Sequence, residues 1–166
     1  MLDLQEMRMC LGDGNNSADI KQIGIVVRDM DRAMNYMKTI FGLEPVGEGE
    51  TPNYGEKTYA GEPEDFCAKM VFYRFGDMDV ELILPLRGRS VWSDFLNARG
   101  EGLHHIQLWV KNFEKTKMYL ENLGMPMMQG GESVRYPGAK FGYFDCMEQL
   151  GYYLEVFNPE ECGYCC

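Results

Sequence analysis

The sequence predicts an α+β fold, in which two tandem βαβββ modules form one curved mixed sheet. The first observation is an internal repeat: "KQIGIVVRDMDRAMNYM" from Lys21 resembles "HHIQLWVKNFEKTKMYL" from His104, at an offset of 83 residues. The second is the order of patterns within each half, where an alternating apolar run is followed by a helical stripe and then by further strand-like runs. The repeat therefore relates each element of one half to an element of the other.

Length, charge and hydropathy limit the class of protein. The 166 residues, 45% of them hydrophobic, suffice for one substantial core. The net charge of −10 and the lack of a basic stripe argue against a nucleic-acid-binding protein. No run of 18 apolar residues predicts a membrane span, and the N-terminus lacks the basic start and apolar stretch of a signal peptide. We therefore expect a cytoplasmic protein that binds neither nucleic acid nor membranes.

The first module begins with the strand "QIGIVV", which is β-branched and alternates in polarity. Asp29 or Asp31 can cap the next helix, and Gly42 can end it. The acidic stretch between Glu44 and Asp65 is interpreted as a solvated loop. The residues predicted to line the apolar stripe of the helix are Met30, Ala33, Met34, Met37 and Phe41. The strands predicted to close the module are Thr58–Tyr59, Lys69–Phe75 and Asp79–Leu84.

A short linking helix within "SVWSDFLNARG", capped by Ser90, separates the two modules. The second module repeats the order of the first, with a strand from His104 and a helix that Asn112 caps and Gly124 ends. The helix residues predicted to point inward are Phe113, Thr116, Leu120 and Leu123. The strands predicted to close this module are Gln129–Glu132, Phe141–Asp145 and Tyr152–Phe157.

The predicted domain organisation follows from these elements. We expect a flexible segment over 1–19, a single domain over 20–159 and a Cys-rich tail over 160–166. Within the domain, module one spans 20–86, the linking helix 90–100 and module two 103–159. The six cysteines are expected to be reduced thiols. The tail "ECGYCC" is half of a zinc site at most, and we favour a disordered or redox-sensitive tail.

Four polar side chains fall on the faces of strands that point away from the helices. Alternation along each strand puts the apolar residues on the helix side, which leaves Gln22, Glu81, His105 and Glu155 on the other side. The repeat pairs Gln22 with His105 and Glu81 with Glu155. His104 lies out of phase with this face, and we expect it to be structural or exposed at the edge of the strand.

If the sheet curls around a shared concavity, these four side chains converge. Two carboxylates in a concave sheet are costly unless they are paired or bind a cation. Together with an imidazole and an amide oxygen they suit a divalent ion such as Co, Ni, Zn, Mn or Fe. The sequence therefore predicts a central metal site formed by Gln22, Glu81, His105 and Glu155. The alternative is that each is an ordinary solvent-facing residue of an amphipathic sheet.

From Ile20 to Pro159 the sequence resembles the vicinal oxygen chelate superfamily, which includes glyoxalase I, methylmalonyl-CoA epimerases and extradiol dioxygenases. The block "VELILPLRGRSVWSDFLNARGEGLHHI" and the segment "RYPGAKFGYFD" are similar to those of methylmalonyl-CoA epimerases. One departure is "QIGI", since such epimerases usually have "HIGI". The resulting Gln, Glu, His, Glu set resembles that of some glyoxalase I enzymes. The resemblance implies paired modules around a metal held by the first and last strand of each.

The resemblance also implies a function. It favours a metal-dependent isomerase or epimerase that removes a proton next to a carbonyl of a small substrate with adjacent oxygens. Glu155 would be a ligand that can also act as a base, and Glu64 is the preferred second base, with Glu62 and Asp65 as rivals. The alternatives are a lyase similar to glyoxalase I and a binding protein without turnover. We also expect a homodimer, since members of the superfamily often dimerise.

Overall fold

The computed structural model describes residues 19–53 and 55–159. The predicted flexible segment falls outside the described residues except for residue 19, and the Cys-rich tail falls outside them entirely. The elements of the described chain are β1 (Asp19–Val26), α1 (Met30–Phe41), β2 (Gly47–Glu50), β3 (Thr58–Tyr59), β4 (Glu62–Pro63), β5 (Cys67–Phe75), β6 (Met78–Arg87), α2 (Val91–Arg99), β7 (Gly102–Trp109), α3 (Phe113–Asn122), β8 (Met127–Glu132), β9 (Lys140–Phe144) and β10 (Tyr153–Phe157).

The strands of the described chain form one mixed sheet in the order β2-β5-β6-β1-β7-β10-β9-β8-β3-β4. At its centre β1 and β7 run antiparallel to each other. On either side the same pattern follows: β6 is parallel to β1, β10 is parallel to β7, and the next strands outward are antiparallel. The sheet curls into a half-barrel with the two modules related by approximate twofold symmetry. The predicted α+β fold of two βαβββ modules is thereby confirmed.

Helix α1 begins and ends where the sequence predicts. Asp29 is the N-cap, since its carboxylate accepts from the backbone N of Arg32 at 2.9 Å, and the alternative cap Asp31 lies inside the first turn. Gly42 ends the helix in the left-handed region, with a φ of 68°. The inward position predicted for Phe41 is wrong, because its side chain is 55% exposed. Its ring meets the ring of Phe75 edge to face, with ring centroids 5.1 Å apart.

The other two helices also carry the predicted caps. Ser90 and Ser93 form a capping box at the start of α2, and Asn112 accepts from the backbone N of Lys115 at the start of α3. The inward position predicted for Leu123 is wrong, since it is 50% exposed. Helix α3 ends at Asn122, so Leu123 no longer follows the helical stripe.

The region between Glu44 and Asp65 differs most from the sequence-based expectation. Part of it is not a loop, because Gly47–Glu50 pairs with β5 and forms the outer strand of module one. The short strand Thr58–Tyr59, predicted for module one, instead pairs with β8 and extends the sheet of module two. The pattern did not predict the strand Gly47–Glu50 because its two glycines and two glutamates lack any apolar face.

The core has one part on the concave side of the sheet and two on the convex side. On the convex side, α1 packs on β5 and β6 through Met30 and Met37, and α3 packs on β7 and β10 through Phe113 and Leu120. On the concave side, Trp92 of α2 packs among aromatic side chains of both modules. Within the described part of the chain, no helix combines the length and apolar character that crossing a membrane requires.

Two of the six cysteines lie within the described residues. Cys67 and Cys146 are both buried free thiols, as expected for reduced cysteines. The cysteines at 10, 162, 165 and 166, and with them the prediction for the tail, lie outside the described residues.

Candidate metal centre

Three neighbouring strands bring two acidic side chains and one imidazole to the concave face. In the sheet, Glu81 of β6 lies beside Gly24 of β1, and Gly24 lies beside His105 of β7. Glu155 of β10 lies in the adjacent row, beside Gln107 of β7. The alternation that the sequence shows along these strands is kept, since the apolar partners of these residues pack on the helices.

The three side chains approach each other closely. The ligand atoms of Glu81, His105 and Glu155 all lie within 4.8 Å of one another. Nε2 of His105 is 3.1 Å from Oε2 of Glu155 and 3.6 Å from Oε2 of Glu81. The imidazole is fully buried, and each carboxylate side chain is only 7% exposed. The sheet therefore presents two carboxylates and one ring nitrogen to a single point with little access for water.

Two of these atoms have no hydrogen-bond partner. Nε2 of His105 and Oε2 of Glu155 are buried without one, although they face each other at 3.1 Å. Burying such polar atoms without a partner is unfavourable, which indicates that a group from outside the chain binds to them. Atoms bound to one divalent ion at ~2.1 Å lie about 3.0–3.5 Å apart. The spacing, burial and mixed N/O chemistry of the cluster thus fit a divalent metal ion.

The electrostatics of the cluster also favour a bound cation. Burial raises the pKa of Glu81 well above its usual range, and the neighbouring carboxylates of Glu155 and Asp79 raise it further, while Arg135 lowers it. Burial and the same two glutamates raise the pKa of Tyr143, whose ring also packs against His105. Two carboxylates in this position repel each other, and a bound cation relieves that repulsion.

Gly24 makes room for the imidazole. A Cβ built on Gly24 would lie 1.9 Å from Cε1 of His105 and 2.3 Å from its Nδ1, far inside van der Waals contact. The ring of His105 therefore lies across the backbone of β1, over the place that any other residue would fill. The absence of a side chain at Gly24 directs His105 towards the strand that carries Glu81.

His104 is placed differently from the expectation for an edge position. It is fully buried in the central strand β7, so the expectation that it lies at an edge or is exposed is wrong. The alternative expectation, a structural role, agrees with the contacts of its ring. Its ring stacks on Tyr153 with centroids 4.9 Å apart and meets the edge of Phe95. Burial lowers the pKa of the His104 imidazole well below its usual range, and His105 lowers it further.

Gln22 lies on the same concave face. It is 6% exposed on β1, pairs with Gln107 of β7, and lines the same cavity as Glu81 and Glu155. The structure thus brings Glu81, His105 and Glu155 into one cluster and puts Gln22 on the wall beside it.

A small cavity opens from the cluster along the concave face. Its volume is about 50 Å³, room for an ion with a few water molecules or the reacting end of a small molecule. Arg135 and Asp79 pair with each other at this cavity, and the guanidinium of Arg135 also lies over the ring of Phe72. The remaining walls are largely aromatic and include Trp92, Trp109, Tyr136, Phe141 and Tyr143.

Glu64, the predicted second base, lies elsewhere. It follows β4 and lines a separate surface cleft with Lys57 and Asp65, and that cleft shares no lining residue with the cavity of the cluster. Of its predicted rivals, Glu62 is exposed and Asp65 is paired with Lys57 and Arg87. The structure does not bring these loop acids to the cluster.

Three residues at the site, Asp79, Gly24 and Arg135, are not among its predicted residues. Asp79 precedes Glu81 by two positions, so strict alternation could have placed it on the same face. Gly24 stands two positions after Gln22, and a glycine in a strand can indicate the close approach of another group. Arg135 comes from the turn after β8, where no periodic pattern exists to place a side chain.

Comparison with known proteins gives a consistent result. A model of the glyoxalase/bleomycin resistance protein/dioxygenase superfamily matches residues 21–143. The uncharacterized protein YqjC of Bacillus subtilis (strain 168) is 23% identical over 141 residues, which cover 85% of this chain and 92% of YqjC.

The fold is shared by solved structures, among them the following two. A hypothetical protein from Bacillus halodurans C-125 is 24% identical, with a TM-score of 0.65 and coverage of 84% of this chain and 93% of that one. Methylmalonyl-CoA epimerase from Mycobacterium tuberculosis is 18% identical, also with a TM-score of 0.65, and covers 96% and 93%. Since the family model spans most of the sequence, the chain belongs to the glyoxalase/bleomycin resistance protein/dioxygenase superfamily.

Proposed function

We propose that this protein is a metal-dependent isomerase or epimerase that abstracts the proton next to a carbonyl group of a small, chelating substrate. The observation that carries the proposal is the buried cluster of Glu81, His105 and Glu155, with its unpartnered Nε2 and Oε2 atoms, at the end of an aromatic cavity. The structural likeness to methylmalonyl-CoA epimerases supports this choice of reaction among those of the superfamily.

The residues that would hold the ion are Glu81, His105 and Glu155, with the amide oxygen of Gln22 as a fourth ligand. The two carboxylates would balance the charge of a divalent cation, and the mixed oxygen and nitrogen donors suit Co, Ni, Zn, Mn or Fe. When bound, such an ion supplies Lewis-acid stabilisation of the negative charge that develops on the carbonyl oxygen of the substrate.

The chain itself supplies the proton transfer and the surroundings. Glu155 accepts the α-proton, since its Oε2 is buried, faces the cluster and makes no hydrogen bond within the protein. The aromatic walls, including Trp92 and Tyr143, exclude water and so strengthen the electrostatic interactions at the reacting atoms. Because Glu64 lies in another cleft, the proposal gives Glu155 both halves of the proton transfer: it takes the α-proton and then returns a proton to the substrate.

The proposal is tested by exchange of the α-proton with solvent. The protein, loaded in turn with each candidate ion, is incubated with methylmalonyl-CoA in deuterated buffer, and the loss of the α-proton signal is followed by NMR. We expect metal-dependent exchange that Glu155→Gln lowers by about 100-fold or more. Glu121→Gln, on the exposed surface of α3, is the matched control and should keep the full rate.

The result also separates the alternatives. Turnover of the hemithioacetal of methylglyoxal and glutathione, without exchange of the α-proton of methylmalonyl-CoA, would favour a lyase similar to glyoxalase I. The candidate ligand set of one Gln, two Glu and one His supports this alternative. Metal-dependent binding of either compound without exchange or turnover would favour a binding protein. A Glu64→Gln variant with the wild-type exchange rate would exclude Glu64 as the second base.

The proposal includes a homodimer in the cytoplasm. Apolar side chains of α1, among them Tyr36 and Ile40, are more than half exposed and offer a surface for a second copy of the chain. Sedimentation equilibrium measures the mass directly, and a monomer at micromolar concentration would contradict this part of the proposal alone.

A further inference from the structure

We propose that His104 is a positioning residue that keeps a ring proton on Nδ1 of His105, so that Nε2 of His105 is the ring nitrogen available to a metal ion beside Glu81 and Glu155. The inference concerns the proton positions of the protein itself. It rests on the proposed metal centre only for its functional consequence, a higher affinity for the metal ion.

The first step is the way the strand brings two consecutive imidazoles together. Neighbouring side chains of a regular strand point to opposite faces. In the pairing of β7 with β1, however, His105 is opposite Gly24 while Leu103 is opposite Ile25, so His104 is an extra residue in the ladder. Such a bulge re-aims a side chain, and the two rings consequently lie 5.3 Å apart at an interplanar angle of 88°.

The second step is a chain of contacts that starts from the backbone. Nε2 of His104 is 3.3 Å from the carbonyl oxygen of Val91, the first residue of α2. Nδ1 of His104 is 3.1 Å from Nδ1 of His105. On its far side, Nε2 of His105 reaches the two carboxylates. Three contacts thus lead from a helix to the acidic cluster through two rings.

The third step assigns the protons. A carbonyl oxygen only accepts hydrogen bonds, so Nε2 of His104 must be the donor to Val91. The ring of His104 is fully buried among Phe95, Tyr143 and Tyr153, surroundings that favour the neutral imidazole. A neutral ring protonated at Nε2 has a bare Nδ1, which accepts a hydrogen bond from Nδ1 of His105. Nε2 is then the nitrogen of His105 that is left to face the two carboxylates.

The opposite arrangement fits the contacts less well. It would set the bare Nε2 of His104 against the carbonyl oxygen of Val91, two acceptors at 3.3 Å. A ring that ligates a metal through one nitrogen commonly donates from the other, and here the acceptor is a second imidazole.

NMR tests the assignment directly, because His104 and His105 are the only histidines of the chain. A long-range ¹H–¹⁵N correlation spectrum of metal-free protein, labelled with ¹⁵N in the histidine rings, shows four ring nitrogens. We expect Nδ1 of His105 and Nε2 of His104 to give the shifts of protonated nitrogens, and Nδ1 of His104 to give the shift of a bare nitrogen. A bare Nδ1 on His105, or a protonated Nδ1 on His104, would overturn the proposal, whatever the activity of the protein.

Two variants separate positioning from packing. His104→Asn keeps an acceptor oxygen near the position of Nδ1, whereas His104→Phe keeps the aromatic ring on Tyr153 but removes the acceptor. Loss of such a supporting contact weakens metal binding by about 10–100-fold. We expect that loss in His104→Phe, measured by titration with Co²⁺ or Zn²⁺, and an affinity within about threefold of wild type in His104→Asn. Wild-type affinity in a folded His104→Phe protein would contradict the proposal, and if that variant does not fold, the wild-type spectrum alone decides.

Discussion

The two central strands are copies of one repeat, but only one of them carries an imidazole pair. Both strands contain an extra residue at the same point of the repeat, Lys21 in β1 and His104 in β7. The next residue is Gln22 in one strand and His105 in the other. The repeat thus preserves the irregularity of the backbone as well as its regular pairing, while the chemistry of the side chains differs.

The second difference lies two residues further along. Gly24 in β1 leaves an open place over which His105 lies, whereas the corresponding place in β7 is filled by Gln107. Trp109 donates from its Nε1 to Oε1 of Gln107 at 2.7 Å and holds that side chain in position. The backbone is therefore symmetric but the centre is not. A ring can extend from β7 over β1 because Gly24 has no side chain, whereas Gln107 blocks a ring that would extend from β1 over β7.

The largest effect on metal affinity is expected from adding a side chain at Gly24, where the ring of His105 lies. In Gly24→Ala the new methyl group would coincide with the ring of His105, so the ring has to move away from the cluster. We expect metal affinity to fall by about 100-fold, together with a destabilisation of roughly 1–3 kcal/mol from overpacking. Metal titration and thermal unfolding measure the two effects separately.

Gly47→Ala is the control for this change. Gly47 also lies in a strand, but its added Cβ would be 3.8 Å from the nearest atom, an ordinary contact with Phe72. Equal metal affinity in Gly24→Ala and wild type would mean that His105 does not need its position across β1, and the account of the asymmetry would fail.

This comparison also shows what the sequence could predict. Alternation and the repeat predicted that Gln22, Glu81, His105 and Glu155 share one face, because the direction of a side chain on a strand follows from its position. The structure puts them on the concave face, and their role as metal ligands stays a prediction. Alternation failed at His104, since a bulge breaks the period of two and leaves no mark in composition. Contacts such as that between Gly24 and His105 depend on the pairing of β1 with β7, which residue patterns within one strand do not contain.

The next effect is expected from exchanging the side chains of the two strands. In Gln22→His alone, the new imidazole has no open place, because Gln107 fills it. The amide ligand is then lost without a replacement, and metal affinity should fall. In the double variant Gln22→His with Gln107→Gly, the ring gains the kind of space that His105 has. Since imidazole binds Zn, Ni and Co better than an amide does, we expect about tenfold tighter binding. Equal affinities of the single and double variants would show that volume is not what limits β1.

A smaller effect concerns pH and the metal-free protein. The pKa of Glu81 is raised in the folded state, mainly by burial. At pH values above the usual pKa of glutamate, the folded state therefore still holds a proton that the unfolded state has lost. The free energy of unfolding consequently falls as the pH rises. We expect the melting temperature in EDTA to drop between pH 5 and pH 8 by on the order of a few degrees. Glu81→Gln should flatten this slope, and a slope that persists unchanged would assign it to other groups.

The smallest effect tests the outer edges, where the two halves also differ. Module two is extended by β3, whose Tyr59 hydroxyl donates to the carboxylate of Asp94 on α2, while module one ends at β2. Burial, together with that carboxylate, raises the pKa of Tyr59 to about 12. Tyr59→Phe removes the hydrogen bond and should cost about 1 kcal/mol, or about 3 °C in melting temperature. Tyr36→Phe, on the exposed side of α1, is the control and should leave the melting temperature unchanged.

Metal affinity should also stay unchanged in Tyr59→Phe, because β3 lies far from β1 and β7 in the sheet order. A change in affinity would show that the edge of module two supports the metal centre.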